Sequence, residues 1–383
     1  MGCTALKIAF LTGSRSEWGY IRPILRRVVA DEELDYGLIV TNMHLSPTFG
    51  LSVREIERDG FKVTERIHMV HEGYTGLTMT KSLAVLLSEL PSALERISPD
   101  VLLLAGDRGE QFMGAIAGIH MGIPVAHIQC GELSGNVDGI VRHAITKLAH
   151  LHFAANEEFA ERVRKLGEEP YRVHVTGAPL LDELVEGEFE SPAEMATRFH
   201  LDMDRPLILA VQHPVTEEEE AAGQQIEETV AALSEIGAQT LFVSPNSDAG
   251  SRAIRQRLAR IGNGNFQLVR NLPRSQYLGM LNMASVIVGN SSSGIMEAST
   301  FGTPCVNIGR RQCGRLQSSH VINARNTRKD IEHALRRAMS DEFSEQARQA
   351  INPYGQGGSA KRILQILKNT QFGERLFNKE LAY

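Results

Sequence analysis

The chain holds one tryptophan, four cysteines and only 6% aromatic residues in 383 positions. Each scarcity closes off a class of protein. Cys3, Cys130, Cys305 and Cys313 lack the paired spacing of a zinc site and are too few for a disulfide framework. Free thiols in a reducing cytoplasm are the expected state, and no metal is expected. No apolar run approaches the roughly 20 residues that span a bilayer, and no signal peptide precedes the first strand. The expectation is therefore a cytoplasmic protein without a membrane partner. Positive charge is not in surplus either: 46 acidic against 40 basic residues leave a formal charge of −6, which argues against a nucleic-acid partner held by a basic surface. Low-complexity segments are absent. The dinucleotide fingerprint G-x-G-x-x-G does not follow the first strand.

What is present is a soluble globular composition, 42% hydrophobic and 22% charged, in a chain long enough for two domains of about 150–200 residues. Short apolar runs recur at 7–12, 36–41, 62–69, 100–105, 124–129, 152–155 and 173–176, and again at 206–211, 240–244, 265–272, 284–288 and 305–308. Polar loops and helical patterns separate them, at 20–29, 78–94 (with a kink expected at Pro91), 113–120, 140–149 and, strongly acidic, 217–236. This alternation predicts α/β architecture with two Rossmann-like, doubly wound domains. The expected boundaries are 1–178, 179–358, and a C-terminal helix and tail, 359–383, packing back toward the first domain.

Open α/β sheets bind ligands beyond the carboxyl ends of their strands, so the loops there carry the candidate site residues. The run 284–288 breaks at Gly289 and Asn290 into Ser291, Ser292, Ser293 and Gly294, and a helix is expected to start near 295. A strand, a small-residue turn and a helix N-terminus form an anion site through free N–H groups and the positive helix end. A serine N-cap on an ordinary helix is the competing reading. Glu297, one turn on, can accept from ribose hydroxyls. Arg310, Arg311 and Arg315 on the glycine-flanked loop 309–315 suit a diphosphate, and Arg15 can reach a phosphate from the first turn. His44 and His213 stand at strand ends. Three acids gather on the other side: Asp107 after 100–105, and Glu132 and Asp138 on the loop after 124–129. Crowded carboxylates raise at least one pKa, which supplies a donor and an acceptor near neutral pH.

Six segments in order, Gly13-Ser-Arg-Ser-Glu-Trp-Gly19, Met43-His-Leu-Ser-Pro47, Gly106-Asp-Arg108, Arg142-His-Ala-Ile-Thr-Lys-Leu-Ala149, Ser244-Pro-Asn-Ser-Asp-Ala-Gly250 and Gly289-Asn-Ser-Ser-Ser-Gly294, resemble the hydrolysing UDP-N-acetylglucosamine 2-epimerases of sialic-acid-type biosynthesis. The likeness runs from Lys7 to about Arg315. It implies a glycosyltransferase-B-like fold with the active site between the domains, a homodimer or dimer of dimers, and no cofactor. It also implies conversion of a UDP-linked 2-acetamido sugar (UDP-GlcNAc to ManNAc and UDP) by elimination to a glycal, then hydration with inversion at C2. By position, Asp107 and Asp138 match catalytic acids, Ser291 and Ser292 the diphosphate serines, and Glu297 the ribose contact. Asn246 and Asp248 match the uridine loop, and Arg15 and His213 nucleotide contacts.

One position departs. Several members carry a catalytic glutamate where this chain has Gln129, and an amide cannot transfer the proton. Either an introduced replacement or natural divergence accounts for it. Under divergence, Glu132 is expected to work beside Asp107 and Asp138. UDP- or GDP-linked 2,4-diacetamido-2,4,6-trideoxyhexoses (the legionaminic-type pathway), a non-hydrolysing epimerase, a glycosyltransferase of the same architecture and a non-catalytic sugar-nucleotide binding module stay open as alternatives.

Overall fold

Thirteen strands build two all-parallel sheets in a computed structural model that describes residues 5–261 and 264–383. Cys3 lies outside the described residues. The first sheet contains β1 (Leu6–Thr12), β2 (Leu34–Thr41), β3 (Glu65–Ile67), β4 (Val101–Ala105), β5 (Val125–Ile128), β6 (Leu151–Ala154) and β7 (Val173–Val175), in the order β3-β2-β1-β4-β5-β6-β7. The second contains β8 (Leu207–Val211), β9 (Gln239–Val243), β10 (Phe266–Val269), β11 (Val286–Gly289), β12 (Cys305–Ile308) and β13 (Val321–Ala324), in the order β10-β9-β8-β11-β12-β13. Central strands such as β4 (VLLLA) and β8 (LILAV) are buried at every residue, because helices cover both faces of a parallel sheet. Strand order reverses between β1 and β4 and between β8 and β11, the switch points where such sheets open a crevice. One buried cluster runs through both domains, from Ile8 and Phe10 to Leu209 and Ile287.

Several boundaries differ from expectation, for local reasons. The first helix, α1 (Arg15–Val29), starts five residues early because Ser14 and Glu17 form a capping box. β3 keeps three residues of the expected eight. Pro91 interrupts nothing: α2 runs continuously from Gly76 to Ile97. The next helices, α3 (Gly109–His120) and α4 (Val137–Leu148), also start early. Asp138 therefore sits in the first turn of α4 rather than on a loop. The acidic stretch begins as a 3-10 turn, Thr216–Ala221, with Glu218 off helical geometry, and only then becomes α5 (Ala222–Ile236). Like charges at i, i+3 disfavour a regular helix there.

The serine turn opens α6 (Ser292–Met296), which continues after Glu297 as Ala298–Phe301. The C-terminal helix α7 (Ser359–Asn369) lies on α1 of the first domain. Among the described residues, no helix is long and apolar enough to cross a membrane.

Candidate functional site

The carboxyl ends of both sheets face one cleft. Its first wall comes from the turn after β1 (Arg15, Glu17), the turn after β4 (Asp107, Arg108), Gln129 after β5, and Asp138 at the start of α4. Its second wall comes from His213 after β8, Asn246 after β9, Ser291–Ser293 after β11, Glu297, and Arg311 and Arg315 after β12.

Each wall residue owes its place to a local device. His127 Nε2 donates to the carbonyl of Gly106 at 2.7 Å, which pins the turn that presents Asp107. Gln129 adopts φ +69, left-handed for a residue with a Cβ. Such strain is held only where the surroundings over-determine it. On the second wall Gly289 has φ +131, and a Cβ there would stand 2.1 Å from the Val211 carbonyl, so the serine turn needs glycine at its base. Asn290 clamps the neighbouring strand end, accepting from His213 N at 2.7 Å and donating to the His213 carbonyl at 2.8 Å. The Ser291 hydroxyl accepts from Ser293 N at 3.3 Å. The cap and the cradle are thus one arrangement.

Polar contacts close the cleft from both sides. Arg15 donates to Asn271 Oδ1 at 3.0 Å and to the Ser244 carbonyl at 3.2 Å. Arg108 of the first domain pairs with Asp248 of the second at 2.8 Å. In the opposite sense, Arg311 of the second domain faces Asp138 of the first at 3.7 Å. Gly135 N donates to the Arg311 carbonyl at 3.2 Å, and a Cβ on Gly135 would meet the Arg310 carbonyl at 2.0 Å.

The two aspartates have unlike surroundings. Asp107 is ion-paired with the guanidinium of Arg142, itself fully buried. Burial raises the proton affinity of Asp138, and Asp248 nearby adds to it; Arg311, Arg108 and the Asn136 amide oppose it. Arg311 is pushed the other way, its pKa lowered by burial and restored in part by Asp138 and Asp248. His213 is kept neutral by burial beside Arg311. Its Nδ1 accepts from Asn246 N at 3.1 Å, which leaves the proton on Nε2. His44 lines the cleft as well, yet burial lowers it to about 3, and both ring nitrogens are occupied, by Thr12 Oγ1 at 3.0 Å and Ser52 Oγ at 2.7 Å.

Three expected residues stand behind the wall rather than in it. Glu132 is fully buried, pairs with Arg315 at 2.8 Å and accepts from Gln129 Nε2 at 3.1 Å. The turn after Gln129 folds it inward, so it orients the wall and does not reach the open cleft. Asp248 is buried against Arg108 and accepts from Asn246 Nδ2 at 2.5 Å. Gly294 faces inward, its carbonyl accepting from His320 Nε2 at 2.8 Å. Glu297 lines the cleft with one oxygen committed to Arg274 at 2.5 Å.

Sequence reasoning passed over Glu17, Arg108, Arg142 and Arg274. Burial, with Glu110 adding to it, raises Glu17 to about 8, and its Oε2 accepts from Gly13 N at 2.5 Å and Ser14 N at 2.9 Å. The Ser14-x-x-Glu17 spacing was the available signal. Arg108 and Arg142 lie in two of the family-like segments, but no local pattern points to the partners of these two or of Arg274, which are remote in sequence.

Similar proteins share this architecture over most of the chain. A family model for UDP-N-acetylglucosamine 2-epimerase matches residues 26–368. A UDP-N,N'-diacetylbacillosamine 2-epimerase (hydrolyzing) of Legionella pneumophila is 35% identical, over 98% of this chain and 99% of its own. A GDP/UDP-N,N'-diacetylbacillosamine 2-epimerase (hydrolyzing) of Campylobacter jejuni is 32% identical, over 88% of this chain and 89% of its own. Among solved structures, a UDP-GlcNAc 2-epimerase from Neisseria meningitidis bound to UDP-GlcNAc superposes with a TM-score of 0.81 at 17% identity, covering 95% of this chain and 100% of that one. Matched over most of its length by the family model and by relatives of such identity, the chain belongs to the UDP-N-acetylglucosamine 2-epimerase family.

Proposed function

We propose that the protein is a hydrolysing 2-epimerase that converts a UDP-linked 2-acetamido sugar and water into UDP and the free C2 epimer. The observation that carries this reading is the placing of Asp107 and Asp138 in one cleft with Ser291–Ser293 and a set of arginines. Carboxylates in unlike surroundings serve as base and acid. Asp107, ion-paired with Arg142, takes the proton from C2. The C1–O bond breaks, its electron pair leaves with UDP, and a C1=C2 glycal forms. Water then adds its oxygen at C1 and gives up one proton to solvent, while Asp138, the carboxyl whose proton affinity burial raises, delivers its proton to the opposite face of C2. The serine turn, Arg15, Arg311 and Arg315 oppose the charge growing on the diphosphate. Glu297 and Asn246 suit the ribose and the base. Gln129 suits a hydrogen bond to the sugar, its amide held by Glu132. A homodimer or dimer of dimers working in the cytoplasm belongs to the same reading.

The amino sugar has two readings. UDP-GlcNAc yielding N-acetylmannosamine, for sialic-acid-type synthesis, follows from the segment pattern. A 2,4-diacetamido-2,4,6-trideoxyhexose, for a legionaminic-type acid, is favoured by the two relatives at 35% and 32% identity, both named for diacetylbacillosamine nucleotides. Incubation with UDP- and GDP-linked amino sugars in deuterated water separates them. The expected product is a free C2-epimerised sugar carrying deuterium at C2, with UDP released in plain buffer. Product without deuterium rejects the elimination, a nucleotide-linked epimer rejects the hydrolysing reaction, and binding without turnover rejects catalysis.

A further inference from the structure

The ion pairs that cross the cleft are unequal, and the weaker one joins the two halves of the proposed chemistry. Arg108 and Asp248 meet at hydrogen-bond distance, 2.8 Å. Arg311 stands 3.7 Å from Asp138, too far for a hydrogen bond. Arg311 Nη1 donates to the Asn290 carbonyl at 3.2 Å, at the base of the serine turn, and its Nε–H is buried without a protein partner. This guanidinium is therefore anchored beside the proposed diphosphate cradle with a free donor and a loosely held carboxylate. Asp138 has one firm hydrogen bond, from Asn136 Nδ2 at 2.7 Å. The charged groups around it are Arg311 from the loop after β12, Arg108 from the turn after β4, and Asp248 from the loop after β9, with His213 next to Arg311 and Asp248.

We propose that Arg311 is a positioning residue that couples occupancy of the diphosphate site to the proton on Asp138: in the free enzyme it stabilises the Asp138 carboxylate, and a bound UDP draws it away so that Asp138 takes up a proton from solvent. This rests on the UDP-sugar reading above and adds a direction to it. A diphosphate offers more charge and more acceptors to a forked donor than one carboxylate does. Once Arg311 turns to it, Asp138 keeps a buried site with Asp248 as a like-charged neighbour, and burial of an uncompensated carboxylate favours its acid form. The proton arrives only when the nucleotide is in place. Asp138 is then armed as the acid that delivers to C2, while Asp107 keeps its own cation, Arg142.

Calorimetric titration of the enzyme with UDP tests this at pH 7.5–8, where UDP itself is fully ionised, in two buffers of different ionisation enthalpy. The expected result is net uptake approaching one proton per UDP, with UDP affinity weakening by up to tenfold per pH unit as pH rises. The uptake should vanish in Asp138→Asn and fall sharply in Arg311→Gln, while Arg311→Lys retains part of it. No uptake by the native enzyme, or the same uptake in Asp138→Asn, overturns the coupling. Failure of UDP to bind the native enzyme would instead reject the nucleotide reading itself. Should Arg311→Gln fold poorly, the native enzyme against Asp138→Asn still decides. A purely structural role for Arg311 would lower affinity or stability in its variants without changing the proton count.

Discussion

Two buried charge clusters sit at opposite ends of α4, and they are built to opposite ends. At the C-terminal end, Glu168 accepts from His152 Nε2 at 3.0 Å, Lys147 at 2.7 Å and Lys379 at 2.6 Å. Burial alone would raise its pKa, but His152 and the two lysines outweigh that and hold Glu168 at about 2. Lys379 also donates to the Thr146, Lys147 and Ala149 carbonyls, capping the helix. Arg172, fully buried, donates to the carbonyls of Arg375, Leu376 and Asn378. Every cation there meets an acceptor, and the C-terminal segment is strapped down. At the N-terminal end, Asp138 and Glu17 are raised, and Glu17 Oε1, Arg311 Nε, Glu132 Oε1 and Arg315 Nε are buried without partners among the described residues. A cluster whose charges are all paired stabilises, even with His152 Nδ1 buried without a partner; one with several unpartnered carboxylate and guanidinium atoms has donors and acceptors to spare for a substrate.

The contrast can be broken from either end. The largest effect is expected in the cleft: Asp138→Asn should cut kcat by roughly 10²–10⁴-fold while Tm holds or rises, as steady-state assays and thermal melts would show. Asp107→Asn should cut kcat as deeply but also lower Tm, because it leaves the fully buried Arg142 without its carboxylate. A large drop in Tm for Asp138→Asn would make the cleft cluster structural. Gly135→Ala comes next. Its Cβ cannot share space with the Arg310 carbonyl, so the two walls should separate and kcat/KM should fall about 10–100-fold, with little change in Tm. At the other end, Lys379→Met removes one of three partners from the buried Glu168, which keeps His152 and Lys147, and should cost about 1–3 kcal/mol, lowering Tm by several degrees while kcat stays near the native value. An activity loss as deep as that of Asp138→Asn would merge the two clusters into one.

The smallest effect concerns pH. A carboxyl with a raised folded pKa, such as Glu17 at about 8, stabilises the fold below its unfolded value, and that contribution is lost as pH rises toward 8. Glu17→Gln should therefore flatten the decline of Tm between pH 5 and 8. Glu168 behaves in reverse: with a folded value of about 2, its contribution is present above its unfolded value and lost as pH falls toward 2. A Glu168→Gln variant should lack that part of the acid transition.

Glu132 shows how far the chain can be read before it folds. Its position among the acids was visible, and so was the amide at Gln129, but not that the turn between them would bury the glutamate and leave the glutamine facing the cleft. The converse holds for Glu17, whose capping-box spacing was in plain view, while its raised pKa comes from burial in the folded cleft, with Glu110 on a different helix adding to it.

The linear order of residues by itself determined the α/β class, the two doubly wound sheets and the serine turn. These rest on apolar runs, turn residues and caps that act within about a dozen positions. Only the tertiary structure decided which acids share a cleft and which arginines neutralise them. Arg108 with Asp248 and Arg311 with Asp138 are separated by 140 and 173 positions, and neither pair leaves a local pattern. The serine turn shows both at once: its cap is local, but its guanidinium neighbour comes from the next strand's loop, and the acid that neighbour faces comes from the other domain.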